Sequence, residues 1–153
     1  MKKLLLALVT ALVLSACASA PSMSTSDRLA LYQSHAGEPV MSFRLDRNFR
    51  WTPLGDQALA VWTGANQGHL LELRSRCSGL GFAHSIHITN SMGQVSARFD
   101  SVQPRTGMSN NPQQLCRIWT IRPLDVRALN DEKRELRDAE TIERAADVVE
   151  EKE

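Results

Sequence analysis

The sequence predicts a mainly β domain of the α+β class: a small antiparallel meander barrel or sandwich, with a short helix before it and a charged helix after it. Three observations carry this. Between residues 39 and 123 apolar side chains recur at alternate positions in short runs, the period of strands with two different faces. Turn-forming Gly, Asn, Asp and Pro residues separate the runs at close intervals, too close for the crossovers that parallel strands need. Residues 17–153, about 137 in number, suffice for one domain with a buried core.

The chain opens with a cationic head, Met1 to Lys3, and an apolar run from Leu4 to Leu14 broken only by Thr10. This is the pattern of a secretory signal peptide, assigned to residues 1–16. A spanning helix needs roughly 20 apolar residues, so the run is too short to stay in a membrane. Leu14-Ser15-Ala16-Cys17 then resembles the bacterial lipobox. The resemblance implies cleavage before Cys17, a diacylglyceryl group on its thiol and acylation of its new amino group, with palmitate as a typical label. Ala18, where an Asp would retain the protein at the inner membrane, implies an outer-membrane destination facing the periplasm. Cleavage after Ala18 or Ala20, giving an unanchored periplasmic protein, is the alternative. One acyl chain binds marginally and two signals anchor stably, so three chains hold firmly. Residues 17–26, rich in Ala, Ser, Pro and Thr, form the expected flexible tether.

The β-rich domain is assigned to residues 27–129. Thr25 or Ser26 is the expected N-cap of a short helix carrying Leu29, Leu31 and Tyr32, with Gly37 as its stop. Met41, Phe43 and Leu45 alternate with Ser42 and Arg44; Leu59, Val61 and Thr63 alternate with Ala58, Ala60 and Trp62; Leu71 and Leu73 share a face with His69 while Glu72 and Arg74 point away. Gly55-Asp56 and Gly64 to Gly68 are turns. "SIHIT", "NSMG" and "QVSARF" predict a hairpin with Val95, Ala97 and Phe99 on one face. Pro104 to Pro112 is a loop, "CRIWTI" a last strand, and Pro123 suits the first turn of a helix. Residues 130–153 are almost wholly polar, a charged helical or disordered tail in which the Glu140 and Arg144 pair contributes only ~0.2–0.5 kcal/mol.

Cysteine count and charge bound the chemistry. If Cys17 carries lipid, Cys77 and Cys116 remain, and two thiols in an oxidising compartment tend to pair. A nucleophilic or ligating Cys77 is the competing reading, which needs an activating base. Removing residues 1–16 shifts the formal charge from +1 to −1, divided between a body at +4 (17–130) and a tail at −5 (131–153). Arg44, Arg50, Arg74 and Arg76 are candidates for a basic partner-binding face.

His84 and His87 have the look of a metal pair, but positions three apart on a strand project to opposite faces, so no metal site is assigned. Asp56 and Asp100 suit turns, and with Glu72 they make an acid/base pair only if two converge. Phosphate loops, nucleophile elbows and zinc-protease motifs do not occur. Trp51, Trp62 and Trp119 suit either a core or a ligand site.

"RWTPLGDQALAVWT", "HLLEL" followed by "CSGL", "ARFDSV" and "CRIWTIRPLD" resemble an uncharacterised family of small Gram-negative envelope proteins, domain of unknown function 6491, from about Phe43 to Leu129. The resemblance implies a strand-rich fold and pairing of Cys77 with Cys116, and no activity. His69 stands where Tyr is expected. The functional expectation is a lipid-anchored, non-enzymatic module without cofactor. Its expected partners are the membrane through its lipid and an envelope protein, peptidoglycan or anionic lipid, and not nucleic acid. One alternative is a barrel enclosing a small molecule or lipid among the tryptophans; another is an envelope enzyme using Asp56, His69 or a free Cys77.

Overall fold

A computed structural model describes residues 23–106 and 114–150, with side chains through residue 142. The expected signal peptide, the expected lipidation site Cys17 and most of the expected tether lie outside the described residues, as do residues 107–112 of the expected loop.

Helix α1 spans Thr25–Ser34. Its N-cap is Ser24, not Thr25 or Ser26: the Ser24 Oγ accepts the Asp27 N–H at 3.1 Å. Asp27 in the first turn also complements the positive end of the helix. Thr25 and Ser26, expected in the tether, belong to this helix. Leu31 and Tyr32 are the side chains α1 buries.

Eight strands follow: β1 (Ser42–Arg44), β2 (Arg50–Pro53), β3 (Ala58–Gly64), β4 (Gln67–Leu73), β5 (Ser85–Ile88), β6 (Gln94–Ser96), β7 (Ser101–Arg105) and β8 (Cys116–Pro123). Every pairing is antiparallel. A six-stranded sheet in the order β2-β3-β4-β8-β7-β5 curls into a half-barrel, and β1-β6 forms a separate ribbon. The mainly β architecture and both flanking helices thus match the sequence. The meander extends through β2, β3 and β4; β8 then inserts between β4 and β7.

The predicted hairpin is corrected. Its turn forms, with Ser91 and Gln94 exchanging backbone bonds of 2.9 Å, but β5 and β6 do not continue as partners. β5 pairs β7, with Ile88 opposite Val102, and β6 pairs β1, with Val95 opposite Phe43. Splitting the two strands lets Ile88 and Val95 fill one core from two walls, both essentially unexposed. Arg98 then turns at φ 69°, so Phe99 points outward instead of joining Val95 and Ala97. Pro104 and Arg105 belong to β7 and not to the loop. Proline is tolerated there because, among the described residues, β8 pairs with β7 only at Ser101 and Val102, so no β8 residue beside Pro104 requires its missing N–H.

Pro123 is the last residue of β8, opposite His69, and does not start the helix. Asp125 caps α2 (Val126–Glu150) instead, its Oδ1 accepting the Ala128 N–H at 3.1 Å. The tail is helical through Glu150.

Two cores result. Leu59, Val61, Leu71, Val95, Ile118 and Ile121 fill the concave side of the sheet, closed by the β1-β6 ribbon. On the other side α1 and the start of α2 bring Leu31, Tyr32, Val126 and Leu129 onto Ala58, Ala60 and Leu70. Alternation along β3 and β4 feeds both. Cys77, just beyond β4, is bonded to Cys116 at the start of β8, with both side chains buried and 5.6 Å between Cα atoms.

Replacing both cysteines, Cys77→Ala with Cys116→Ala, should lower unfolding stability by about 4 kcal/mol, the chain-entropy value for a loop of about 40 residues. Urea unfolding of the oxidised protein and the variant measures the difference, and reductant should bring the wild type close to the variant. A difference below about 1 kcal/mol would contradict the argument.

Candidate functional site

β8 leaves the bridge at Cys116. Alternation sends Cys116 and Ile118 into the core and Leu115, Arg117 and Trp119 outward. Leu115 is 63% exposed and Trp119 45%. The Arg74 guanidinium lies 5.6 Å from the Trp119 ring centroid and that of Arg98 lies 5.0 Å away. Arg117 Nη1 donates to the carbonyls of Arg98 at 2.9 Å and Phe99 at 3.3 Å, which ties the turn after β6 to this face. Each exposed cation–ring contact contributes about 0.5–1 kcal/mol, enough to bias side-chain positions and too little to explain leaving an indole in water.

A second cluster sits at the other end of the sheet, in a cleft of about 390 Å³ lined by Tyr32, Arg50, Thr52, Trp62, Asn130 and Lys133 among others. Lys133 Nζ donates to the Tyr32 hydroxyl at 2.7 Å and stands 5.8 Å from the Trp62 ring centroid. Trp62 meets Tyr32 edge-on, centroids 6.2 Å apart, and its Nε1–H donates to Thr52 Oγ1 at 3.2 Å. Gly68 makes the seat for this indole: a Cβ there would come within 2.7 Å of the ring.

On the opposite face of the β3-β4 hairpin, His69 stacks on Phe43 with centroids 4.4 Å apart. Arg44, Asn66 and Gln67 help to line the cleft of about 450 Å³ in front of them. The Nδ1 of His69 is buried and has no hydrogen-bond partner among the described residues. Burial lowers its pKa below 6.5, because a protonated ring there would carry charge away from water.

The four arginines expected to contribute to a basic face lie at separate locations. Arg44 borders the His69 cleft, Arg50 the Trp62 cleft and Arg74 the Trp119 stack. Arg76 is exposed on the approach to the bridge, where its carbonyl accepts from Gln114 Nε2 at 3.4 Å. Arg50 lies opposite Trp62 and Trp62 opposite Gly68, while Arg74 is six residues past Gly68, just beyond the end of β4, roughly 20 Å away at strand rise.

The tryptophans are likewise divided. Trp51 packs on the concave core, Trp62 on the helical side, and Trp119 faces solvent. Cys77 is bonded and not free. Asp56, Glu72 and Asp100 do not converge: Asp56 lies in the β2-β3 turn, Glu72 accepts from Gln33 Nε2 at 2.9 Å, and Asp100 accepts from Thr89 Oγ1 and the Ser96 N–H, both at 2.7 Å. His84 and His87 are exposed, and no group of three or more potential metal ligands occurs among the described residues. Arg98, Arg117, Tyr32 and Lys133 were not foreseeable as site residues, except that "CRIWTI" already alternates Arg117 and Trp119 against two apolar positions.

A model described as a family of unknown function (DUF6491) matches residues 1–140. The chain belongs to this family. No curated protein and no solved structure matches the chain. The DUF6491 match includes α1, all eight strands and the first part of α2, so both aromatic and cationic clusters fall within it.

Two outcomes follow from this geometry. Gly68→Ala should push the Trp62 ring from its seat, costing about 1–3 kcal/mol and changing tryptophan emission, as measured by denaturation and fluorescence. The unfolded chain binds a proton at His69 before the folded protein does, so stability should fall as pH drops from 6.5 toward the lower folded value. His69→Phe should remove that part of the decline. An unchanged pH profile in the variant would assign the decline to other groups.

Proposed function

We propose that the protein is a lipid-anchored, non-enzymatic interaction module on the periplasmic face of the outer membrane. The observation that carries this reading is the division of its three cysteines. Cys77 and Cys116 are joined inside the fold, and the remaining one, Cys17, ends a lipobox-like motif directly after a cationic head and an apolar run. A buried disulfide suits an oxidising compartment, which is where such a signal would deliver the chain. The exposed Trp119 between Arg74 and Arg98 supports the interaction role, since a large ring left in water beside cations is characteristic of contact surfaces. The partner classes this surface suits are an envelope protein, peptidoglycan or anionic lipid.

A second reading rests on a different observation. The cleft around Tyr32, Trp62, Arg50 and Lys133 offers aromatic edges and two cations to a small anionic ligand. That reading requires saturable binding that is lost in Lys133→Ala with the fold retained.

Labelling growing cells with a palmitate analogue should mark the wild type and leave Cys17→Ala unmarked. Intact-mass measurement without reductant should show the mature chain beginning at Cys17, with acyl mass and two hydrogens fewer than the dithiol. An unlabelled wild type beginning elsewhere would refute the anchor.

A further inference from the structure

We propose that the face formed by Leu115, Arg117 and Trp119, with Arg74 and Arg98 beside the indole, is a docking surface for the anionic lipid bilayer that holds the anchor. The inference rests on the lipid-anchored reading above for the position of Cys17; its other premises are structural.

The first premise is where the chain leaves the fold. Thr25, at the start of α1, has its Cγ2 3.2 Å from the place a Cβ on Gly55 would occupy, so α1 begins at the β2-β3 turn. The same turn is bonded to the end of β4 and the bridge: Gln57 O accepts the Leu73 N–H at 2.8 Å and Asp56 O accepts the Cys77 N–H at 2.7 Å. Arg74 and the start of β8 therefore share this end of the sheet with the first turn of α1. Only β4 separates β3 from β8, which is about 10 Å at two inter-strand spacings.

The second premise is the side of the sheet. Leu73 lies opposite Ile118, and both point into the concave core. Trp119 is the extra residue where the β4-β8 register shifts between Ile118 and Thr120; because Ile118 and Ile121 on either side of the shift both lie in the concave core and Trp119 is exposed, the indole projects to the reverse side, on which α1 packs against Ala58, Ala60 and Leu70. From Cys17 to Ser24 is seven residues, at most about 25 Å of extended chain. An acylated Cys17 would therefore hold the bilayer within reach of this face.

The third premise is chemistry. A bilayer with anionic headgroups favours guanidinium groups at the phosphate level and an indole at the boundary with the acyl chains. Two guanidinium groups lie within 6 Å of the Trp119 ring centroid, with Arg117 and the apolar Leu115 on the same strand face. Phe99, 75% exposed, adjoins them through the Arg117 bond to its carbonyl. The nearby carboxylates of Glu72 and Asp100 already accept hydrogen bonds from within the protein. Such a surface acts as a second signal that fixes the orientation of a domain whose lipid alone leaves it free to tumble.

The test uses the oxidised mature chain, residues 17–153, with Cys17→Ser so that no acyl chain contributes. Co-sedimentation is measured with vesicles of phosphatidylcholine and with vesicles of phosphatidylcholine and phosphatidylglycerol in equal parts, at low and high salt. The expected result is partition onto the anionic vesicles alone, weakened by salt. Arg74→Gln with Arg98→Gln should weaken it about fivefold per arginine, about 25-fold together. Arg74→Lys with Arg98→Lys should retain it, and Arg127→Gln with Arg137→Gln, the same charge loss on α2, should leave it unchanged. Quenching of tryptophan emission by doxyl-labelled lipid should disappear in Trp119→Phe, whose fold is checked by its unfolding transition.

Equal partition onto neutral vesicles, no partition, or equal loss in the α2 variant would overturn the proposal. Capture by insoluble peptidoglycan that depends on Arg74 and Arg98, without vesicle binding, would overturn it in favour of a glycan polymer. Failure here leaves acylation standing, because palmitate labelling decides that separately. An unlabelled Cys17 with intact vesicle binding would remove the anchor and keep the surface.

Discussion

The pairing of β8 with β4 is the interaction on which the rest of the molecule depends. β8 comes last among the strands and enters the middle of the sheet, joining the β2-β3-β4 meander to the β7-β5 pair. Its register places Ile118 and Ile121 in the concave core, and its end hands the chain through Leu124 to the helical core. Partners roughly fifty residues apart must meet before either core closes, and the entropy of closing that loop opposes the fold at this step. The Cys77–Cys116 bond spans the same two strands and removes part of that freedom from the unfolded chain.

A central strand has two faces to satisfy, and the flanking elements cover them unequally. The β1-β6 ribbon covers the concave side, while α1 and the start of α2 cover the reverse side over β3 and the beginning of β4. Contacts tie the helices to each other at the far end, through His35 with Glu132 and Lys133 with Tyr32. The beginning of β8 is left open on that reverse side, and that is where Trp119 lies between two arginines. The exposed aromatic surface is thus a consequence of which part of the sheet the helices reach.

The legibility of the fold differed from element to element for identifiable reasons. β3 and β4 were recognisable because Leu59, Val61, Leu71 and Leu73 alternate without interruption, and the turn at Gly64 to Gly68 forms as expected. The β5-β6 hairpin was misjudged because a turn reports only that the chain reverses. Whether the strands beyond it stay paired depends on the competing partners β7 and β1, far away in sequence. Caps were displaced by a residue or two since Ser24, Thr25 and Ser26 have similar capping chemistry, and Pro123 suits a strand end as well as a first helical turn. The four candidate arginines do not share a face because Arg44 sits on the β1-β6 ribbon, Arg50 on the edge strand β2, and Arg74 and Arg76 beyond the end of β4.

By itself the sequence determined the strand-rich class, the two flanking helices, the pairing of Cys77 with Cys116 and the membership in DUF6491. These depend on local periodicity, on the count of thiols and on motifs that are short or contiguous. Tertiary structure alone decided the sheet order, the separation of the tryptophans, the burial of His69 Nδ1 without a hydrogen-bond partner among the described residues, and the convergence of Arg74 and Arg98 on Trp119. Each of those is a meeting of residues distant along the chain, set by which faces must be buried together, and no local pattern encodes it.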